Sequence, residues 1–166
     1  MKKLPFIQPK KEFYLNVAVL LLVLNKLFET SRGKKNLNID RIQTFYFLVN
    51  NPQILNKVLA HFNKKQIEID VTDYYTVEKI FLDVSDLYDK KKLAVLIRFI
   101  TLKGYVAVDF TKEDGFVFCL NSSGEDIVES LNSSYFKKIT FFTEAALTLR
   151  SKNLSSINTF INSLIR

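Results

Sequence analysis

The run LKGYVAVDFTKEDGFVFCLNSSGEDIVES, from Leu102 to Ser130, constrains the fold of this chain more than any other stretch. Two apolar-rich runs, about Tyr105 to Phe110 and Phe116 to Leu120, are joined by TKEDG, and an Asp-Gly pair in that position is a strong hairpin signal. Gly104 is a usual stop for the helix before it, which is expected to begin near Ser85 or Asp86 and to run through LYDKKKLAVLIRFITLK. After the hairpin, Ser122 or Ser123 is expected to cap another helix, GEDIVESL, whose early acidic residues suit the positive end of its dipole.

Helix, two-stranded hairpin and helix, in that order, make the second half of a winged helix. Most of the remaining chain reads as helix. Glu12 to about Ser31 is helical and stops at SRGKKN, and its middle, VAVLLLVL, is apolar on every face, as in a helix buried by its own domain or by a second chain. Asn38 is placed to cap IDRIQTFYFLV, where Ile39, Ile42, Phe45, Tyr46 and Val49 recur at helical spacing. That helix should end before NNP, and Pro52 then sits near the first turn of PQILNKVLAHF, where its missing N–H does no harm. Alternation from Ile67 to Val71 predicts a short strand, while residues 76–86 fit a helix or a strand with a capped turn. Two further helices, about Ser134 to Leu149 and Leu154 to Arg166, complete the pattern.

The expected class is therefore mainly α with a small β-hairpin: a winged-helix-like domain with additional N- and C-terminal helices. Its parts are a basic arm (residues 1–11), an N-terminal helical part (12–63), a winged-helix part (64–133) and a C-terminal helical part (134–166), in one compact unit. Only four Gly and three Pro leave little room for long loops, and 15 Phe within 48% hydrophobic residues support a large core. A chain of this length buries roughly 70% of its unfolded surface, so it needs no staple.

Net charge is +7, yet eight Lys or Arg against two Glu place +6 of it within residues 1–35. Attraction to polyanions is thus concentrated at the N-terminal end. Cys119 is the only cysteine, which excludes an internal disulfide and, with no signal peptide in view, points to a cytoplasmic setting. VAVLLLVL is far shorter than the roughly 20 residues that cross a bilayer, so no membrane span is expected.

Catalytic patterns are missing. One Cys and one His cannot build a zinc site of the usual kind, and His61, beside Phe62 on an amphipathic helix, reads as a surface or boundary residue. The glycines are too scattered for a phosphate-binding loop or a dinucleotide fingerprint, and no GxSxG elbow is present. Asp89-Lys90-Lys91 has the D-x-K spacing of some nucleases, but it opens a Lys-rich helix rather than lying on a strand. No enzymatic activity and no cofactor or metal are expected.

A DNA-reading winged helix needs polar residues on the helix before the hairpin and cations at the wing tip. Here KKKLAVLIRFITLK leaves only Arg98, Thr101 and Lys103 polar in its body, and the tip KEDG carries two acids against one lysine. Both strand faces are apolar: Val106, Val108, Phe110, Phe116, Phe118 and Leu120 on one, Tyr105, Ala107, Val117 and Cys119 on the other. Such a hairpin is covered by the protein's own C-terminal helices or by a partner. Tyr105, Ala107 and Val117, with Phe141 and Phe142 from KITFFTEAAL, are the candidate protein interface. Lys90, Lys91 and Lys92, with Lys137 and Lys138, are either a solvated face or candidates for non-specific phosphate contact that weakens with salt.

The long apolar first helix, then NIDRIQTFYFLVNNPQIL, then helix, hairpin and helix, resembles the small middle components of bacterial ABC-three-component systems and of Lamassu-type defence operons. The segment from Asn38 to Leu55 carries the likeness, supported by the winged-helix half, Leu87 to Leu131. The resemblance implies an accessory subunit of an SMC-like or Rad50-like ATPase complex, similar in role to kleisin-interacting winged-helix proteins. Such a subunit binds the ATPase and an effector nuclease, dimerises in many cases, and helps the complex hold DNA. It lends no catalytic residues. The alternatives are a stand-alone dimeric winged-helix transcription regulator and a toxin or antitoxin component.

Overall fold

In the computed structural model, the described residues are 12–28, 37–69, 87 and 89–164. They form seven helices and one antiparallel hairpin: α1 (Phe13–Phe28), α2 (Ile39–Asn50), α3 (Pro52–His61), α4 (Lys90–Leu102), β1 (Val106–Thr111), β2 (Gly115–Leu120), α5 (Ser122–Ser130), α6 (Ser134–Leu147) and α7 (Leu154–Ser163). The expected basic arm, the SRGKKN breaker and residues 76–86 lie outside the described residues.

The helix that is apolar on every face occupies the middle. α1 is buried continuously from Asn16 to Leu24 and again at Leu27, and it packs against α2, α4, α5, α6 and β2. Its cover therefore comes from its own chain. Buried residues of α1 to α4, α6, α7 and both strands join one hydrophobic core that runs from Val17 to Ile161, and Ile127 and Val128 of α5 pack against it.

Local signals set most boundaries. Asn38 Oδ1 accepts from the Arg41 N–H at 3.0 Å and starts α2. At the other end Asn50 and Asn51 donate their side-chain amides to Tyr46 O and Phe47 O, and Pro52 then opens α3. α3 stops at Asn63, whose φ of 54° is left-handed, while the Lys64 N–H donates back to Leu59 O at 2.8 Å. Gly104 does the same for α4 with φ 69°, and the Tyr105 N–H donates to Ile100 O at 2.9 Å.

Three expectations change. Residues 67–69 form no strand. Ile67 is instead gripped by the Asn56 amide, which donates to Ile67 O and accepts from the Ile67 N–H, both at 2.8 Å; one side chain supplies the bonds that a neighbouring strand would have given. α4 begins at Lys90, because Asp89 is not helical and its Oδ1 accepts from the Lys92 N–H at 3.0 Å and caps the helix there, while the expected start at Ser85 or Asp86 lies outside the described residues. α5 is capped by Asn121, not by Ser122 or Ser123: Asn121 Oδ1 accepts from the Gly124 N–H at 3.0 Å.

Asn121 also fastens the hairpin's base. Its side-chain amide donates to Gly104 O and its backbone N–H to Tyr105 O, so one residue joins the end of α4, the start of β1 and the cap of α5.

Candidate partner-binding surface

The hairpin pairs Val106 with Leu120, Val108 with Phe118 and Phe110 with Phe116, alternating with Ala107–Cys119, Asp109–Val117 and Thr111–Gly115. Two bonds fix which pairs exchange hydrogen bonds. Asn121 N–H donates to Tyr105 O, and Phe118 N–H points the other way, to Leu37 O at 3.1 Å. Odd-numbered residues of β1 therefore bond to β2, and Val106, Val108 and Phe110 turn their backbone N–H and C=O groups to the outer edge. β2 has neighbours on both sides, whereas among the described residues no strand lies beside β1 other than β2. The Phe110 N–H at that edge donates to the carboxylate of Asp109 at 2.8 Å.

Burial follows the same division. β2 is buried from Val117 to Leu120 and packs against α1, α2 and α5, so the cover comes chiefly from these helices rather than from the C-terminal ones. Of β1 only Val106 is buried. At the tip Phe110 and Phe116 meet edge-to-face, with centroids 5.4 Å apart, yet they stay 63% and 65% exposed beside exposed Val108. Removing either ring from water is worth about 1.5–3 kcal/mol.

α4 leads into this strand. Leu93, Leu96, Ile97 and Ile100 bury one face; the opposite face shows Lys91, Val95, Arg98 and Leu102, the last 88% exposed. Phe99 sits at the boundary against Phe13 and Tyr14, with ring centroids 5.0 and 6.0 Å away, and Lys103 Nζ lies 5.8 Å from its centroid.

The residues anticipated from sequence divide. Ala107 and Phe141 are exposed and Tyr105 is half-buried, whereas Val117 and Phe142 are buried inside their own chain. Tyr105, Ala107 and Val117 share the hairpin, while Phe141 and Phe142 lie on α6. Phe110, Phe116, Val95 and Leu102 are exposed too, and no local pattern marks them: strand alternation assigns faces, but it does not tell how far along the hairpin the covering helices reach.

Lys90 Nζ bonds Asp40 Oδ1 at 2.8 Å, Lys91 is exposed, and Lys92 is half-buried in the wall of a cleft. Lys137 is exposed and Lys138 half-buried, both near the start of α6, a different helix from the Lys90–Lys92 group. Asp89 of the D-x-K triplet is engaged as the α4 cap. His61 is exposed and stacked on Phe160, with centroids 3.9 Å apart.

Among the described residues two groups have displaced proton affinities. Burial pushes the Tyr135 phenol above its ordinary range. Arg150 is held below the usual guanidinium range, first by burial and then by the charge of Arg41. Both arginines secure helix ends: Arg41 donates to Arg150 O at 2.9 Å and Arg150 to Phe28 O at 3.4 Å.

Among the described residues no three His, Cys, Asp or Glu side chains come together to hold a metal ion, and no helix is long and apolar enough to cross a membrane. The described residues are mainly helical with one antiparallel hairpin, as in a winged-helix-like fold, and expose apolar side chains along β1 and at the hairpin tip. The family model for ABC-three component (ABC-3C) system Middle Component 4 matches residues 27–159, and the chain belongs to that family. It is accordingly an accessory component of an ABC-three-component system. The match spans Asn38 to Leu55 and the hairpin half, while most of α1 precedes it. No curated protein and no solved structure matches the chain.

Proposed function

We propose that this chain is a non-enzymatic assembly subunit that holds another component of its system against the hairpin tip and the open edge of β1. In this reading the partners are an SMC-like or Rad50-like ATPase and an effector nuclease encoded beside it, as in Lamassu-type anti-phage operons. One observation carries the reading: the edge of β1 presents outward backbone groups at exposed Val108, beside exposed Phe110 and Phe116. An extended partner segment adding to that edge gains main-chain hydrogen bonds, and the paired rings offer it an apolar anchor.

Charge at the tip favours polypeptide over duplex. Asp109, Glu113 and Asp114 surround a single Lys112, and these carboxylates repel phosphate. The outer face of α4, with Val95 and Leu102, offers few donors to base edges, which disfavours the stand-alone regulator. Contact with DNA is secondary and non-specific in this proposal, through Lys91 and Lys137.

The test is co-expression with the adjacent gene products, followed by capture. Phe110→Ser with Phe116→Ser should release the companions while leaving the subunit folded. Retention of every companion at wild-type affinity by that double variant would refute the assignment of the surface.

A further inference from the structure

The outer side of α4 is an apolar row edged with cations. Val95, Arg98 and Leu102 stand at i, i+3 and i+7, so they line one side of the helix over about 10 Å. Val95 is 53% exposed and Leu102 88%. On one flank Phe99 turns partly inward onto Phe13, while Tyr14, in edge contact with both rings, stays 75% exposed. Scattered apolar residues are ordinary on a surface, but three grouped on one side with cations among them mark a contact.

Charge narrows what the contact can be. Lys91, one turn before Val95, joins Arg98 and Lys103 as the cations of this side. Among the described residues none of the three has a carboxylate partner, whereas Lys26 and Lys90 pair with Glu144 and Asp40. Glu12, just before α1, is exposed and pairs with none of them. The complement of this face is therefore apolar and negative. A duplex answers the cations but sets Leu102 and Tyr14 against phosphate and its water. An anionic bilayer needs a broad apolar face to bury, and the broad face of α4 is already committed to the core. An extended peptide would lay unpaired N–H and C=O groups on Val95 and Leu102, which can bond neither. A helix arrives with its backbone bonds made, and its ridges fit beside a row spaced by three and four residues.

We propose that the outer side of α4 docks an acidic amphipathic helix of another component, its apolar side on Val95, Leu102 and Tyr14 and its carboxylates against Arg98 and Lys103. The inference rests on the partner-binding reading above and places a second contact on a different element from the edge of β1.

Two measurements on the co-expressed complex test it. With photo-reactive p-benzoylphenylalanine in place of Leu102, irradiation should join the chain to one segment of a companion, rich in Asp and Glu and with apolar residues three and four apart. Adducts only on a basic or extended segment, on added duplex DNA or on phosphatidylglycerol vesicles, or no adduct at all, overturn the proposal. Arg98→Glu should weaken capture of that companion about tenfold, and Glu→Lys in the cross-linked segment should restore it. Both substituted positions are exposed, so the melting temperature should stay at the wild-type value. Capture at wild-type strength by Arg98→Glu, or a loss that no charge reversal restores, overturns this inference alone if Phe110→Ser with Phe116→Ser still releases the companions. Failure of the wild-type chain to hold any companion overturns it together with the partner-binding reading.

Discussion

Gly124→Ala sets two physical effects of opposite sign against each other. Helix propensity favours the change by up to about 1 kcal/mol, because Gly is a poor helix former. Packing opposes it. A Cβ built on Gly124 falls 2.3 Å from Tyr105 O and 2.8 Å from the Leu120 side chain. Leu120 has a flexible end, but Tyr105 O is backbone and accepts from the Asn121 N–H at 3.2 Å. Making room therefore moves the junction where α4, the hairpin and α5 meet. Overpacking of this kind costs typically 1–3 kcal/mol or more, so a net loss of about 2 kcal/mol is expected. For a chain of this size that lowers Tm by roughly 4–8 °C. Urea melts followed by circular dichroism should show a lower midpoint at unchanged slope. Gly115→Ala is a useful contrast: its Cβ meets nothing within 4 Å, but φ is 71°, so its cost of about 1–2 kcal/mol is backbone strain alone. If Gly124→Ala were as stable as the wild type, close approach at this junction would be the wrong account.

Other outcomes follow from the same reasoning. Asn56→Ala should destabilise the fold by about 1–3 kcal/mol, since it removes both bonds to Ile67, and hydrogen exchange at the Ile67 amide should accelerate. Unchanged protection there would show that other contacts hold the segment. The raised phenol of Tyr135 makes stability fall as pH climbs past the ordinary value of 10.0, because the unfolded chain then releases a proton that the folded one keeps; Tyr135→Phe should flatten that loss in denaturation curves taken across alkaline pH. For DNA, Lys91→Gln with Lys137→Gln should weaken binding of all duplexes alike and reduce the salt slope by about one unit per lost phosphate contact. Discrimination among sequences that vanishes with these substitutions would contradict a non-specific role.

The sequence by itself determined the features that arise within a few residues. Asn38 as a cap, Pro52 at the opening of α3, Gly104 as the stop of α4 and Asp-Gly in the turn all act through local φ angles or hydrogen bonds to near neighbours. The fully apolar VAVLLLVL announced a buried helix for a similar reason, since no rotation of it presents a polar face. Even here close competitors misled: Asn121, Ser122 and Ser123 are all good caps, and the contact of Asn121 with Gly104 O and Tyr105 O favoured the first. Of the alternation from Ile67 to Val71 only Ile67 to Ile69 is described, and there the backbone of Ile67 bonds not to a strand but to a side chain eleven residues earlier.

Tertiary structure alone decided what the surface offers. Val117 and Phe142 are buried while Phe110 and Phe116 stand in solvent, although all four are apolar, because exposure depends on where α1, α2, α5 and the rest of the chain come to lie. The edge of β1 that no other described strand covers and the unpaired amide of Gln43 have the same origin. Hydrogen-bond satisfaction and burial are sums over neighbours distant in sequence, and no short stretch of residues specifies them.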